Sequence, residues 1–186
     1  MGIEAVIAAE RQRYVDFYAE TKARLTASGS DVVGELLISI NNDEIPYPYR
    51  YVRADIVSKG DDGAPQLSEV RIDTDPAFEA TGYNFGAFQV EVYPFTWCSV
   101  QVVFDKPPKS ESQIEDWITR RLDVDDRGGT GLDGLSGAVH SFSPVESNGE
   151  WWFLTADFGT APADALIEFI ELLASQGMSK IVLKAG

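Results

Sequence analysis

His140 and Cys98, the only histidine and the only cysteine of the chain, carry its most versatile side-chain chemistry. An imidazole exchanges protons near neutral pH, and a thiolate is a strong nucleophile. Nothing in their spacing brings the two together. His140 lies in the strand pattern Gly137–Val145 and shares a face with Ala138 and Phe142, while Cys98 shares one with Val100, Val102 and Phe104. The expectation is a packed histidine held by a hydrogen bond and a small buried thiol. The chain contains neither a serine-nucleophile elbow nor an HExxH zinc motif.

The glycine-rich stretch Asp123–Gly137 offers Asp123, Asp125, Asp126 and Asp133, oxygen ligands of the kind a hard cation takes. Arg127 and Gly134 stand where a calcium loop needs ligands, and the Gly-Lys-Ser/Thr ending of a phosphate loop is missing. A mobile connection is expected, with no metal and no cofactor. Glu69, Arg71, Asp73 and Asp75 alternate as a solvated sheet face does. Asp157-Phe158-Gly159 resembles the metal-holding triplet of protein kinases, but the other kinase motifs are missing in order. Asp157 therefore reads as support for a turn or a helix N-terminus.

Aromatic residues give the remaining functional signal. Tyr47, Tyr49 and Tyr51 surround the proline-interrupted entrance to a strand, Tyr83 follows Gly82, and Trp151 and Trp152 project to opposite sides of one strand. With Asp73 and Asp75 they form the candidate interaction or pocket set.

Composition narrows the classes. A chain of 186 residues, 44% hydrophobic, can build a substantial core despite a net charge of −15. Thirty acids against 15 bases disfavour nucleic acid. One cysteine excludes an intrachain disulfide framework, and charges interrupt the start MGIEAVIAAERQR where a secretory signal needs an apolar core. No run is long and apolar enough to span a membrane, so a cytoplasmic protein is expected.

The elements that must position these residues follow from hydrophobic period. Ile3 to about Thr26 predicts a long amphipathic helix with Ile3, Ile7, Tyr14, Tyr18 and Leu25 on one face. Strands are predicted at Val33–Ile40, Tyr49–Val57, Leu67–Asp73 and Phe85–Val92, with loops at Ser58–Pro65 and Asp75–Gly82. From Trp97 the order is strand, helix (Glu111–Asp123), strand (Gly137–Val145), strand (Glu150–Ala156), helix (Pro162–Gln176), strand (Ser179–Leu183). Ser110 with Gln113 resembles a capping box, and Asn148-Gly149 fits a type I′ turn.

The fold class is thus α+β: a mixed or antiparallel sheet, a long N-terminal helix and a ferredoxin-like βαββαβ C-terminal unit. Residues 1–186 read as one domain with subregions 1–94 and 95–186. One conflict stands, because Phe85–Val92 invites a hairpin with Trp97–Phe104 where a ferredoxin-like sheet leaves no room for one. The functional expectation is a non-catalytic acidic interaction domain, an adaptor, regulator or inhibitor of a basic protein or peptide, with homo-oligomerisation as a further option. The alternative is a small-molecule-binding domain or enzyme with a polar-aromatic pocket near Tyr47–Tyr51 and Asp73–Tyr83.

Overall fold

Ile3, Val6, Ile7, Tyr14 and Tyr18 are buried along helix α1 (Ile3–Ala27) as the apolar spacing predicts, Glu10 joins them unpredicted, and Leu25 is only half-buried. The computed structural model describes residues 2–60 and 62–186; Met1 and Asp61, the latter within the expected loop Ser58–Pro65, lie outside them. The chain is a mixed α+β fold in which α1 accompanies two sheets.

The smaller sheet is antiparallel, in the order β1 (Val32–Ser39), β2 (Tyr51–Lys59), β3 (Pro65–Ser68). Gly34 lets α1 come close, since a Cβ there would lie 2.0 Å from the Tyr18 hydroxyl oxygen. The expected strand Leu67–Asp73 stops at Ser68 because the Val70 N–H leaves the ladder and donates to Asp55 Oδ2 at 2.6 Å.

The larger sheet contains β4 (Thr81–Asn84), β5 (Gln89–Val92), β6 (Val100–Phe104), β7 (Ser141–Phe142), β8 (Glu146–Ser147), β9 (Trp152–Asp157) and β10 (Lys180–Ala185). Its order is β4-β5-β10-β6-β9-β7, with β8 also on β9. Only β5 and β10 pair in parallel, so the sheet is mixed. This order resolves the hairpin conflict: β10 lies between β5 and β6, and the two never pair. Phe95 and Trp97 in the connection are fully buried, which draws it into the core instead of a tight turn.

Helices α2 (Glu111–Leu122) and α3 (Asp164–Ser175) bury the predicted stripes Ile114, Trp117, Ile118, Leu122 and Leu166, Phe169, Ile170, Leu173. Their ends are tied differently from expectation. No capping box forms; the Ser110 N–H donates to Gln176 Oε1 at 3.1 Å, and Gln176 Nε2 donates back to the Ser110 carbonyl at 3.2 Å. At Asn148-Gly149 only the glycine has positive φ, 94°, so the turn is not type I′. The expected strand Gly137–Val145 is reduced to β7 with β8 beyond it, because Pro144 has no N–H to continue the ladder.

His140 joins the two sheets through its backbone. Its N–H donates to the Asp157 carbonyl at 2.8 Å, and its carbonyl accepts from the Arg53 N–H at 2.7 Å. No helix among the described residues is long and apolar enough to cross a membrane.

Candidate active site around His140

Strand pairing places the first two acids. Gly34 opposes Ile56 and Leu36 opposes Ala54, which sets Glu35 opposite Asp55 between them. Glu35 adopts a left-handed φ of 55°, a conformation that costs about 1–3 kcal/mol for a non-glycine residue. Both side chains are buried and both reach the imidazole of His140. His140 Nδ1 lies 2.7 Å from Asp55 Oδ1, and Nε2 lies 3.1 Å from Glu35 Oε1. With both ring nitrogens against carboxylates, two N–H donors satisfy the geometry best, which is the imidazolium.

Electrostatics agree. Burial pushes the imidazole pKa down, but the Asp55 and Glu35 hydrogen bonds and the nearby Asp157 charge override it and hold His140 at about 9. Burial likewise pushes Glu35 up, yet hydrogen bonds from His140, Ser136 and Thr160 bring it down to about 2. Ser136 supplies both its hydroxyl, 2.6 Å from Glu35 Oε1, and its N–H, 2.7 Å from Oε2; the Thr160 hydroxyl also donates to Oε1. Asp55 is held below its ordinary range against its own burial by His140, the Val70 N–H and the Tyr14 hydroxyl at 2.8 Å.

The third acid behaves in the opposite way. Asp157 ends β9, and its Oδ1 accepts the Gly159 N–H at 2.8 Å. Oδ2 accepts no hydrogen bond from the described residues and lies 3.9 Å from His140 Nδ1. Burial raises this carboxyl to about 7; the His140 charge opposes the rise and the Asp55 charge adds to it. Gly159 is required beside it, because a Cβ there would sit 2.1 Å from His140 Cδ2.

Asp55 and Asp157 line a cleft of about 450 Å³ together with Cys98, Ser141, Glu69, Ile38, Val52 and Leu67. That is a small-molecule size. Asp55, His140 and Asp157 offer ligand atoms within 4.8 Å of one another, the residue types and span of a cation site. Asp55 already accepts three hydrogen bonds, and both imidazole nitrogens are engaged.

The expectation that the chain is more a binding module than an enzyme is overturned here. A buried Asp55–His140–Asp157 triad beneath a cleft has the make-up of a catalytic or metal site. His140 is packed and hydrogen-bonded as its strand pattern predicts, but it is packed against carboxylates. Cys98 does not pair with it. The thiol donates to Thr96 Oγ1 at 3.8 Å, and burial together with the Asp157 charge raises its pKa.

The other candidates lie elsewhere. Tyr47 and Tyr51 meet edge to face at 5.7 Å, Tyr49 is buried, and Asp73 and Asp75 are exposed. Tyr83 is half-buried in β4; Trp152 packs on the core, and Trp151 lies on the open face of the larger sheet. None of the eight lines the cleft over Asp157. Of the acids in the glycine-rich loop, Asp123 accepts the Arg127 and Gly128 N–H groups, Asp125 pairs with Arg127 and Asp133 accepts from Leu135, all within the loop, while Asp126 pairs with Arg53 of β2.

Sequence reasoning missed Glu35 and Asp55 as site residues and assigned Asp157 to a turn. The available signal was charge inside apolar strand patterns, since an inward carboxylate needs a buried partner and the chain has one histidine. Comparison of the chain with protein-family models, with curated proteins and with solved structures finds no match.

Proposed function

We propose that the protein is an enzyme that moves a proton on a small molecule bound in the cleft over Asp157. The observation that carries this reading is Asp157, which lines the cleft and whose Oδ2 accepts no hydrogen bond from the described residues while His140 Nδ1 lies 3.9 Å away. A carboxyl held at about 7 is present in both forms at neutral pH, the condition for general acid–base work. As base, Asp157 takes a proton from a substrate O–H, N–H or activated C–H onto Oδ2, and the bonding pair stays on the substrate. As acid it returns that proton.

His140 is 1% exposed and acts through Asp157 as a positioning residue, its positive charge steadying the carboxylate. Three carboxyl groups line the cleft, while the Arg53 guanidinium turns away to the carbonyls of Leu122, Glu35 and Asp123. Neutral or cationic substrates with an aliphatic part suit such a lining. Free Cys98 supports a cytoplasmic setting. The antiparallel order β10-β6-β9-β7, with α2 and α3 as its crossovers, supports a ferredoxin-like reading of this half. The net charge of −15 also supports contact with a basic protein partner outside the cleft.

A ligand screen by NMR tests the proposal, using small amines, alcohols and carboxylic acids on the full chain. Binders are expected to shift the amides of Val70, Cys98 and Ser141, and any turnover is expected to vanish in Asp157→Asn. Binders that shift only distant amides, or turnover that survives in Asp157→Asn, would overturn it.

A further inference from the structure

The open face of the larger sheet carries a second concavity, of about 460 Å³, that shares no lining residue with the cleft over Asp157. The opposite face is packed, with Val100, Val102, Leu154, Ile181 and Leu183 all buried. A sheet packed on one side ordinarily turns polar side chains outward on the other. Here part of the outward face is apolar instead. Phe153 opposes Val103 on β6, and Val103 opposes Val182 on β10, so the three form an apolar strip over β9, β6 and β10 that ends at Glu146 on β8 and Glu91 on β5. Trp151 and Tyr93 border the strip, and Tyr93 is 44% exposed.

Charge at this face departs from that of the chain. Lys180 is neutralised by Glu91 at 2.8 Å. Lys184 lines the same concavity and is exposed, and its ammonium group has no ion-pair or hydrogen-bond partner among the described residues. The residues that line the concavity thus carry one net positive charge, on Lys184, against −15 for the chain, and the nearest further carboxylate along the strip is Glu146, opposite Phe153 on β8. Screening over about 8 Å at physiological salt makes the local cation dominate what a small ligand feels.

We infer that this face is a second binding site, for a small aromatic or aliphatic anion such as an aryl carboxylate or sulfonate. Its apolar body lies on Trp151, Phe153, Val103 and Val182, and its anionic group meets Lys184. The volume matches a ligand of that class. This inference stands apart from the chemistry at Asp157.

Anilinonaphthalene sulfonate, added to the full chain, is the probe, read by dye fluorescence and by the Trp151 indole N–H signal. Saturable binding that shifts that signal is expected. Lys184→Glu, at an exposed position, is expected to weaken binding roughly fivefold or more. Uncharged phenylnaphthylamine is expected to bind more weakly than the sulfonate, and added salt to narrow the difference. Absence of saturable binding, an unchanged affinity in Lys184→Glu, or shifts at Cys98 and Ser141 in place of Trp151 would overturn the inference.

Discussion

Glu35 and Asp55 stand opposite each other across the β1–β2 ladder, and their carboxylates close on the two nitrogens of His140 from either side. The pair explains why a charged imidazole is stable in the core. It also explains the left-handed backbone of Glu35, which breaks the ladder between Gly34 and Leu36 where the clamp is made.

Removing one jaw of the clamp leaves a buried charge without its partner. Glu35→Gln keeps the shape and loses the charge, and we expect it to cost about 3 kcal/mol in urea unfolding. A loss below about 0.5 kcal/mol would mean that His140 is neutral and that Glu35 acts only as an acceptor for Ser136 and Thr160.

Stability should depend on pH in a defined direction. His140, raised to about 9 from 6.5, contributes stability fully present below pH 6.5 and lost as pH rises through 9. Asp157, raised to about 7 from 3.8, holds its proton more tightly when folded, and so also favours the folded state less as pH rises from 3.8 to 7. Glu35, lowered to about 2 from 4.5, contributes stability present above pH 4.5 and lost as pH falls through 2. The urea midpoint is therefore expected to be highest near pH 4 to 4.5, to fall toward pH 7 as Asp157 ionises, and to fall further toward pH 9.5. The fall above pH 7 should disappear in His140→Gln; an identical profile in that variant would assign the effect to other groups.

Gly159→Ala should disturb the site without touching a charge. The new methyl would lie 2.1 Å from His140 Cδ2, and the backbone φ of 49° already disfavours a side chain. A loss of about 2–4 kcal/mol is expected, with a shifted His140 imidazole signal in NMR. A variant as stable as the parent with an unmoved imidazole would contradict the packing described at this turn.

The helices and most strands were legible in the sequence because period reports burial. The stripe Ile114, Trp117, Ile118, Leu122 is buried, as is Leu166, Phe169, Ile170, Leu173, and both appear in the chain as plain helical spacing. The site was not legible because it has no local pattern. Glu35 meets His140 across 105 positions and Asp55 meets it across 85, and only the pairing of β1 with β2 and the β2–β7 junction bring them together. The aromatic cluster Tyr47–Tyr51 drew attention by exposure and chemistry, yet Tyr49 is buried and the set lies off the cleft. Ends of strands failed where a backbone N–H left its ladder for a side chain, as Val70 does for Asp55. Period cannot show such a departure.

The central claim is that Asp157 exchanges a proton at neutral pH beside a His140 that stays charged there. Carbon-13 NMR of aspartate-labelled protein, titrated from pH 4 to 9 and assigned with Asp157→Asn, measures this directly. We expect the Asp157 carboxyl to titrate with a midpoint near 7, while both ring nitrogens of His140 stay protonated through that transition and begin to titrate only toward pH 9. A midpoint for Asp157 at about 4, the ordinary aspartate value, or a neutral His140 at pH 7, would contradict the account.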